Sequence, residues 1–256
     1  MSTSGMNFDS GLFGGTQVPY TRTIEPQAIG LYANLEQRDL ERLQRYEEHW
    51  RFYLGQQWSF TREDGEPLVT INVIRMLIDR GISWLIGNGW TNEIPDKMED
   101  FMRPHLDEVW EANEKDEVTF SLAQMGSVTG DAWILITSEP TEGGGSRIRV
   151  RDLGSESVFP IWDPLNTDIL LGVRIVTLFV DDSGTAPASG GPPNVRRFIQ
   201  VITKDSISEQ FVGKEQPRIR PNPLGEIPVV HIRNLTVARE FWGLSDMDGG
   251  LIDLQR

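Results

Sequence analysis

The sequence predicts an α+β fold, with N-terminal helices followed by a mainly antiparallel β region. Three observations predict it. Apolar residues recur at helical spacing in successive segments up to about residue 130. After that point short, β-branched apolar runs follow one another between turn-forming residues. The two signals do not alternate, which favours segregated elements over a parallel α/β sheet.

Residues 1–30 are rich in Gly, Ser and Thr and contain Pro19 and Pro26, so they read as a flexible N-terminal arm or a strap on a neighbour. A first helix is expected from Glu36 to Leu54. Leu43, Tyr46, Trp50 and Tyr53 line one of its faces, and Gly55 ends it. A turn is expected at Glu63–Pro67. A second helix is expected from Thr70 to Ile86, with Ile71, Ile74, Ile78, Ile82 and Leu85 as a continuous apolar stripe. Its few polar residues predict a largely buried core helix, stopped by Gly87-Asn88-Gly89.

Glu93–Glu117 carries ten carboxylates against Lys97, Arg103 and Lys115, a net charge of −7. Pro104 is expected in the first turn of a helix running to about Ala112, with Leu106, Val109 and Trp110 inward and Asn113 at its exit. A further helix, about Glu117 to Thr129, should pack by Phe120, Leu122, Ala123 and Met125 and end at Gly130. Strands are expected at Ala132–Thr137, Arg147–Leu153, Ser157–Trp162, Ile169–Val180, Arg196–Thr203, Ser206–Val212 and Ile227–Ile232. Gly143-Gly144-Gly145 and Asp181–Asn194 supply loops between them. Pro223-Leu224-Gly225 makes a turn before the last strand, which should be buried. Ser245 stands three residues before Asp248, the spacing of a capping box, and Leu251, Ile252 and Leu254 begin an apolar helical face. The chain stops there, which suggests a piece of a longer protein.

Composition narrows the function. The absence of cysteine excludes disulfides and thiolate metal sites. No apolar run approaches the roughly 20 residues of a membrane helix, and the N-terminus has no signal-peptide pattern. The net charge of −14 argues against tight, static DNA binding, yet suits a surface that DNA slides past. The glycine run lacks a following Lys in phosphate-loop spacing and reads as a hairpin loop. His49, His105 and His231 form no ligand pair. Asp131 beside Trp133, and Asp163 beside Trp162, permit an alternative: a carbohydrate-active hydrolase with a carboxylate pair and Trp platforms. Asp163-Pro164 is better explained as a turn. Most aromatic residues sit at core spacing. Trp242, in a loop between strand and helix, is a candidate interface anchor.

A family resemblance runs through these segments. Gly225-Glu226-Ile227-Pro228-Val229-Val230 followed by Gly243-Leu244-Ser245-Asp246 resembles the middle of tailed-phage portal proteins. Tyr53–Trp58, Thr70–Ile74, Gly130–Trp133, Val158–Pro160 and Trp162-Asp163 agree in the same order. The resemblance implies the N-terminal half of such a protein. Residues 31–130 would be the helical part of the portal wing, 131–240 its β-rich part, and 241–256 the start of a helix leading toward the stem. It implies a structural subunit of a dodecameric ring at a capsid vertex, not an enzyme, with no catalytic residue, cofactor or metal. The implied partners are further copies of the chain, the major capsid protein and scaffold, the terminase, a head–tail adaptor, and double-stranded DNA passing through the lumen without sequence specificity. The implied location is the virion, after assembly in the host cytoplasm.

Charge suggests how copies would meet. Against the acidic segment stands Val195–Arg239, where eight cations oppose four carboxylates, a net charge of +4. Head-to-tail contacts need two unlike patches. The candidate interface residues are therefore Glu108 and Glu111 on one side, Arg196, Arg197, Arg218 and Arg220 on the other, and Trp242.

Overall fold

A computed structural model describes residues 37–56, 71–141, 144–163, 165–166, 169–180, 195–212, 216–238 and 240–255. The expected arm, the turn at Glu63–Pro67 and the Asp181–Asn194 loop lie outside the described residues. Helices come first: α1 (Gln37–Tyr53), α2 (Val73–Ile86), α3 (Glu99–Glu111) and α4 (Lys115–Thr129). Among the described residues these strands follow: β1 (Asp131–Pro140), β2 (Ser146–Leu153), β3 (Val158–Trp162), β4 (Leu170–Val180), β5 (Val195–Thr203), β6 (Ser206–Phe211), β7 (Arg218–Pro221) and β8 (Val229–Arg233). A short α5 (Leu251–Gln255) closes the order. The fold is α+β. The chain forms two compact units: residues up to Leu43 with Leu153–Val229, and Gln44–Asp152 with Val230–Arg256.

The first unit is an antiparallel sheet in the order β3-β4-β5-β6-β7. Leu40 and Leu43 of α1 pack on Phe159, Val176 and Leu178. Between them the buried Arg42 donates to the carbonyls of Ser155 (2.9 Å) and Val158 (3.1 Å). Its guanidinium lies 5.2 Å from the Phe159 ring centre. A buried cation is tolerable only when its N–H groups find acceptors in this way. Cross-strand pairing places Phe198 beside Phe211, Glu209 beside Arg218 and Ile207 beside Arg220. Side chains alternate along a strand, so Arg196, Phe198, Phe211, Arg218 and Arg220 share one face, and Arg197 lies on the other. The sequence reading missed β7: Arg-Ile-Arg-Pro has one apolar residue and ends in Pro, an edge-strand composition with no alternation to detect. At the turn after β7, Asn222 donates to the carbonyls of Thr203 (2.8 Å) and Glu226 (2.7 Å).

The second unit packs the remainder of α1 with α2, α4 and α5 around Phe52, Tyr53, Ile74, Ile78, Ile82, Val128 and Met247. Beside them stands a small sheet in the order β2-β1-β8. α2 begins at Val73, where Asn72 caps it by accepting from the Arg75 N–H (2.9 Å). The expectation of a largely buried helix is corrected. Ile74, Ile78 and Ile82 are buried, but Ile71, Val73, Met76, Leu77, Trp84 and Leu85 are exposed. Ile71 precedes the helix and Leu85 lies near its end, so the expected stripe shortens to its three central residues.

α3 starts at Glu99 and places Pro104 in its interior, not its first turn. A 3-10 turn at Asp96–Met98 leads into it, and Arg103 ties its start by bonds to Glu99 (2.8 Å) and the Asn92 carbonyl (3.1 Å). The amide Pro104 lacks would have served Asp100, which is exposed, so water can take its place. α4 ends at Gly130 as expected, in the left-handed region (φ +90°). Its buried face is Met125, Gly126, Val128 and Thr129, and Phe120 is exposed. The strand predicted at Ile227–Ile232 begins at Val229 and is only half buried, because β8 is a sheet edge. Leu251 and Ile252 pack against the core of this unit.

Candidate functional site

The chain beyond β8 is held to the second unit by a buried polar node. α4 ends at Gly130, and Asp131 follows as the first residue of β1. The Gly130 carbonyl accepts the Asn234 N–H (2.9 Å). Gly130 and Gly243 approach so closely that a Cβ on either would collide with the other's carbonyl. Asp131 is fully buried. Its carboxyl accepts from the Tyr46 hydroxyl (2.6 Å) and the Gly243 N–H (2.8 Å), and the His231 Nε2 lies 2.7 Å away. His231 stacks on Trp133 with ring centres 4.1 Å apart. Phe241 lies 4.6 Å from His231, and Trp242 packs edge-on to Phe241 at 4.9 Å. Trp242 is thus half-buried in an aromatic cluster of its own chain.

A second node lies one turn further on. Buried Ser245 donates to the Val128 carbonyl (2.7 Å) and accepts from the Met247 N–H (3.1 Å), while the Asp248 carboxyl accepts the Ser245 N–H (2.8 Å). Only the Asp248 half of the expected capping box is present, since the Asp248 N–H bonds the Ser245 backbone carbonyl (3.1 Å) and the hydroxyl is taken by Met247. That half closes a run of turns at 246–250 instead of the first turn of a helix, and α5 begins only at Leu251. Gly249 and Gly250, the latter at φ +92°, explain the delay. His49 joins this node: its Nδ1 is 2.9 Å from the Val128 carbonyl and its Nε2 is 3.5 Å from Asp248. Burial pushes its imidazole below the usual histidine range, against the opposing pull of Asp248.

The two aspartates of the hydrolase alternative have structural work. Asp131 is enclosed by its node. Asp163 accepts from the N–H groups of Leu165 (2.7 Å) and Asn166 (3.2 Å), the expected turn. Among the described residues no group of three or more His, Asp or Glu side chains is placed to hold a metal ion.

The surface residues singled out by charge fall in separate units. Glu108 and Glu111 are exposed on α3 in the second unit. With Asp100 and Asp107 they make its outer face acidic. In the first unit Arg196 and Arg197 are half-buried, and Arg218 and Arg220 are exposed. Arg220 pairs with Glu209 at 3.2 Å.

The family model described as phage portal protein, SPP1 Gp6-like, matches residues 32–249. The chain belongs to the phage portal protein family. The match covers every described element from α1 to β8 and both polar nodes. No curated protein matches the portal chain. The family is a structural component of the bacteriophage virion, not an enzyme family. None of the described helices of the portal chain is long and apolar enough to cross a membrane. Sequence reasoning did not find the Asp131–His231 pair, because the two lie a hundred positions apart and no motif spacing links them. The one available signal was an acidic residue placed between a helix-ending glycine and an apolar strand.

Proposed function

We propose that the portal chain is a subunit of a closed, dodecameric ring at one capsid vertex. The ring surrounds the channel through which double-stranded DNA is packaged and ejected. In this reading residues 31–130 and 131–240 form the helical and β-rich parts of the wing, and 241–256 lead toward the stem. The terminase motor, the head–tail adaptor, and the major capsid protein with its scaffold bind the assembled ring, which forms in the host cytoplasm before entering the virion. The family match over residues 32–249 carries the reading. The acidic balance of the chain supports a lumen that DNA traverses without being held.

Adjacent subunits meet head to tail, the acidic face of α3 (Glu108, Glu111) toward the Arg196, Arg197, Arg218 and Arg220 region of the next, with Trp242 as an anchor. The supporting observation is that the two charge patches belong to different compact units. Segregated charge speeds correct encounter more than it strengthens the final contact. Native mass spectrometry and negative-stain imaging of the purified chain test the ring. A closed ring with a central channel is the expected result, and a monomer or closed dimer at every concentration overturns it.

A further inference from the structure

The exposed side of α2 is the least expected surface of the molecule. Ile74, Ile78 and Ile82 form its inner seam. Around the cylinder, at 3.6 residues per turn, Val73, Leu77, Arg80 and Trp84 form a second seam with steps of four, three and four. Trp84 is 75% exposed, Met76 61% and Leu77 47%. The Arg80 guanidinium lies 5.2 Å from the Trp84 ring centre, and Arg75 pairs with Asp79 on the helix flank. Val73, at the start of the same seam, is exposed as well. Solitary soluble domains seldom expose patches beyond roughly 300–600 Å². A standard interface buries about 800 Å² per partner, with aromatic residues and Arg at its centre.

We propose that this outer seam of α2 is the apolar core of the subunit–subunit interface. Its occupant is the Phe198–Phe211 face of the five-stranded sheet of a second copy. That face has the complementary chemistry. The two rings pack 4.8 Å apart at the end of the face where Phe211 is exposed, beyond the buried Ile202 and Ile207, and Arg196, Arg218 and Arg220 lie on the same side with Glu209, which pairs with Arg220. The seam belongs to the unit that carries the acidic α3, and the rings belong to the unit that carries the arginines. A head-to-tail contact of this kind joins apolar to apolar and brings the unit that carries the acidic helix to the unit that carries the arginines. A like-with-like contact would oppose equal charges. The inference rests on the ring reading above and names the residues that hold the ring together.

The chain has no cysteine, so paired substitutions give unambiguous cross-links. In the full chain carrying Leu77→Cys and Phe211→Cys, oxidation should produce a covalent ladder of multimers, and neither single variant should go beyond a dimer. In parallel, Leu77→Glu with Trp84→Glu should keep the wild-type circular dichroism spectrum and melting behaviour. It should need at least about tenfold more protein to assemble, the loss expected when an interface hot spot is removed. Wild-type rings with no ladder, or a folded double-Glu variant that assembles at wild-type concentration, overturn the inference alone. Efficient cross-linking of Leu77→Cys to itself, with wild-type dimers, identifies a symmetric contact and overturns the pairing. A wild-type chain that forms no oligomer overturns the ring reading and the inference together.

Discussion

Asp131 is the side chain whose loss the molecule should tolerate least. Two donors, the Tyr46 hydroxyl and the Gly243 N–H, end on its carboxyl, and His231 lies within bonding distance. Asp131→Ala would leave those groups buried without their partner, a loss of about 3–5 kcal/mol measurable by denaturant unfolding. Glu114 offers the opposite case. It links α3 to α4 at φ +51°, in the left-handed region that costs a non-glycine residue about 1–2 kcal/mol. Glu114→Gly should therefore raise stability by about 0.5–1 kcal/mol. A hydrogen bond with Glu114 also pushes the Glu117 carboxyl above its usual range, so the same variant should lower the Glu117 pKa in an NMR titration. His49 sets a pH dependence. Burial lowers its folded pKa, so below the ordinary value of 6.5 the unfolded chain binds a proton that the folded chain resists. Stability should thus fall as pH drops from 6.5 toward the folded value and level off beneath it. His49→Gln should remove this component, which unfolding curves at neutral and mildly acidic pH would reveal.

At the scale of the element, α2 can be read through two adjacent residues. Ile78 is 3% exposed and Leu77 is open. Ile78→Asp would bury an unpaired carboxylate and should abolish soluble expression, while Leu77→Asp should leave the subunit folded. Equal behaviour of the two in an expression and melting assay would refute the facing of the helix. Ser245→Ala should cost about 1–3 kcal/mol, more than an exposed cap, because the hydroxyl is buried and bonded to both Val128 and Met247. The sequence made α1, α4 and most strands legible, because their apolar spacing and their terminal glycines, Gly55 and Gly130, act locally. It misread α2 because apolar residues around most of a helix look the same whether they meet the protein's own core or a surface left open. It misplaced the start of α3 because Pro104 is a strong local signal, outweighed here by Arg103 and by the turn at Asp96–Met98. The Asp131 node was beyond its reach, since only folding brings Tyr46, His231 and Gly243 to one carboxyl group.

For the whole molecule, charge is the property most directly read from sequence, and the proposed head-to-tail contact would give it a use. Glu108→Lys with Glu111→Lys should slow ring assembly at low ionic strength. The difference should shrink as salt rises, since exposed charges are screened beyond about 8 Å at physiological ionic strength. Time-resolved light scattering across a salt series checks this, and an unchanged rate at low salt would remove electrostatics from the assembly step.

One small feature bears on what such a chain must avoid while many copies accumulate. β2 is an edge of its sheet, and the buried Asn113 lies against it. Its amide donates to the Ile148 carbonyl (2.9 Å) and accepts the Val150 N–H (2.9 Å). One side chain thereby occupies the backbone positions that a foreign strand would use to begin templated, open-ended stacking. A protein made to join its own kind must refuse most of the ways of doing so, and here the refusal is a single amide. Asn113→Ala should leave a folded subunit that diverts into thioflavin-positive aggregates at concentrations where the wild type stays in solution. A variant with no such diversion would show that the edge is guarded by other means.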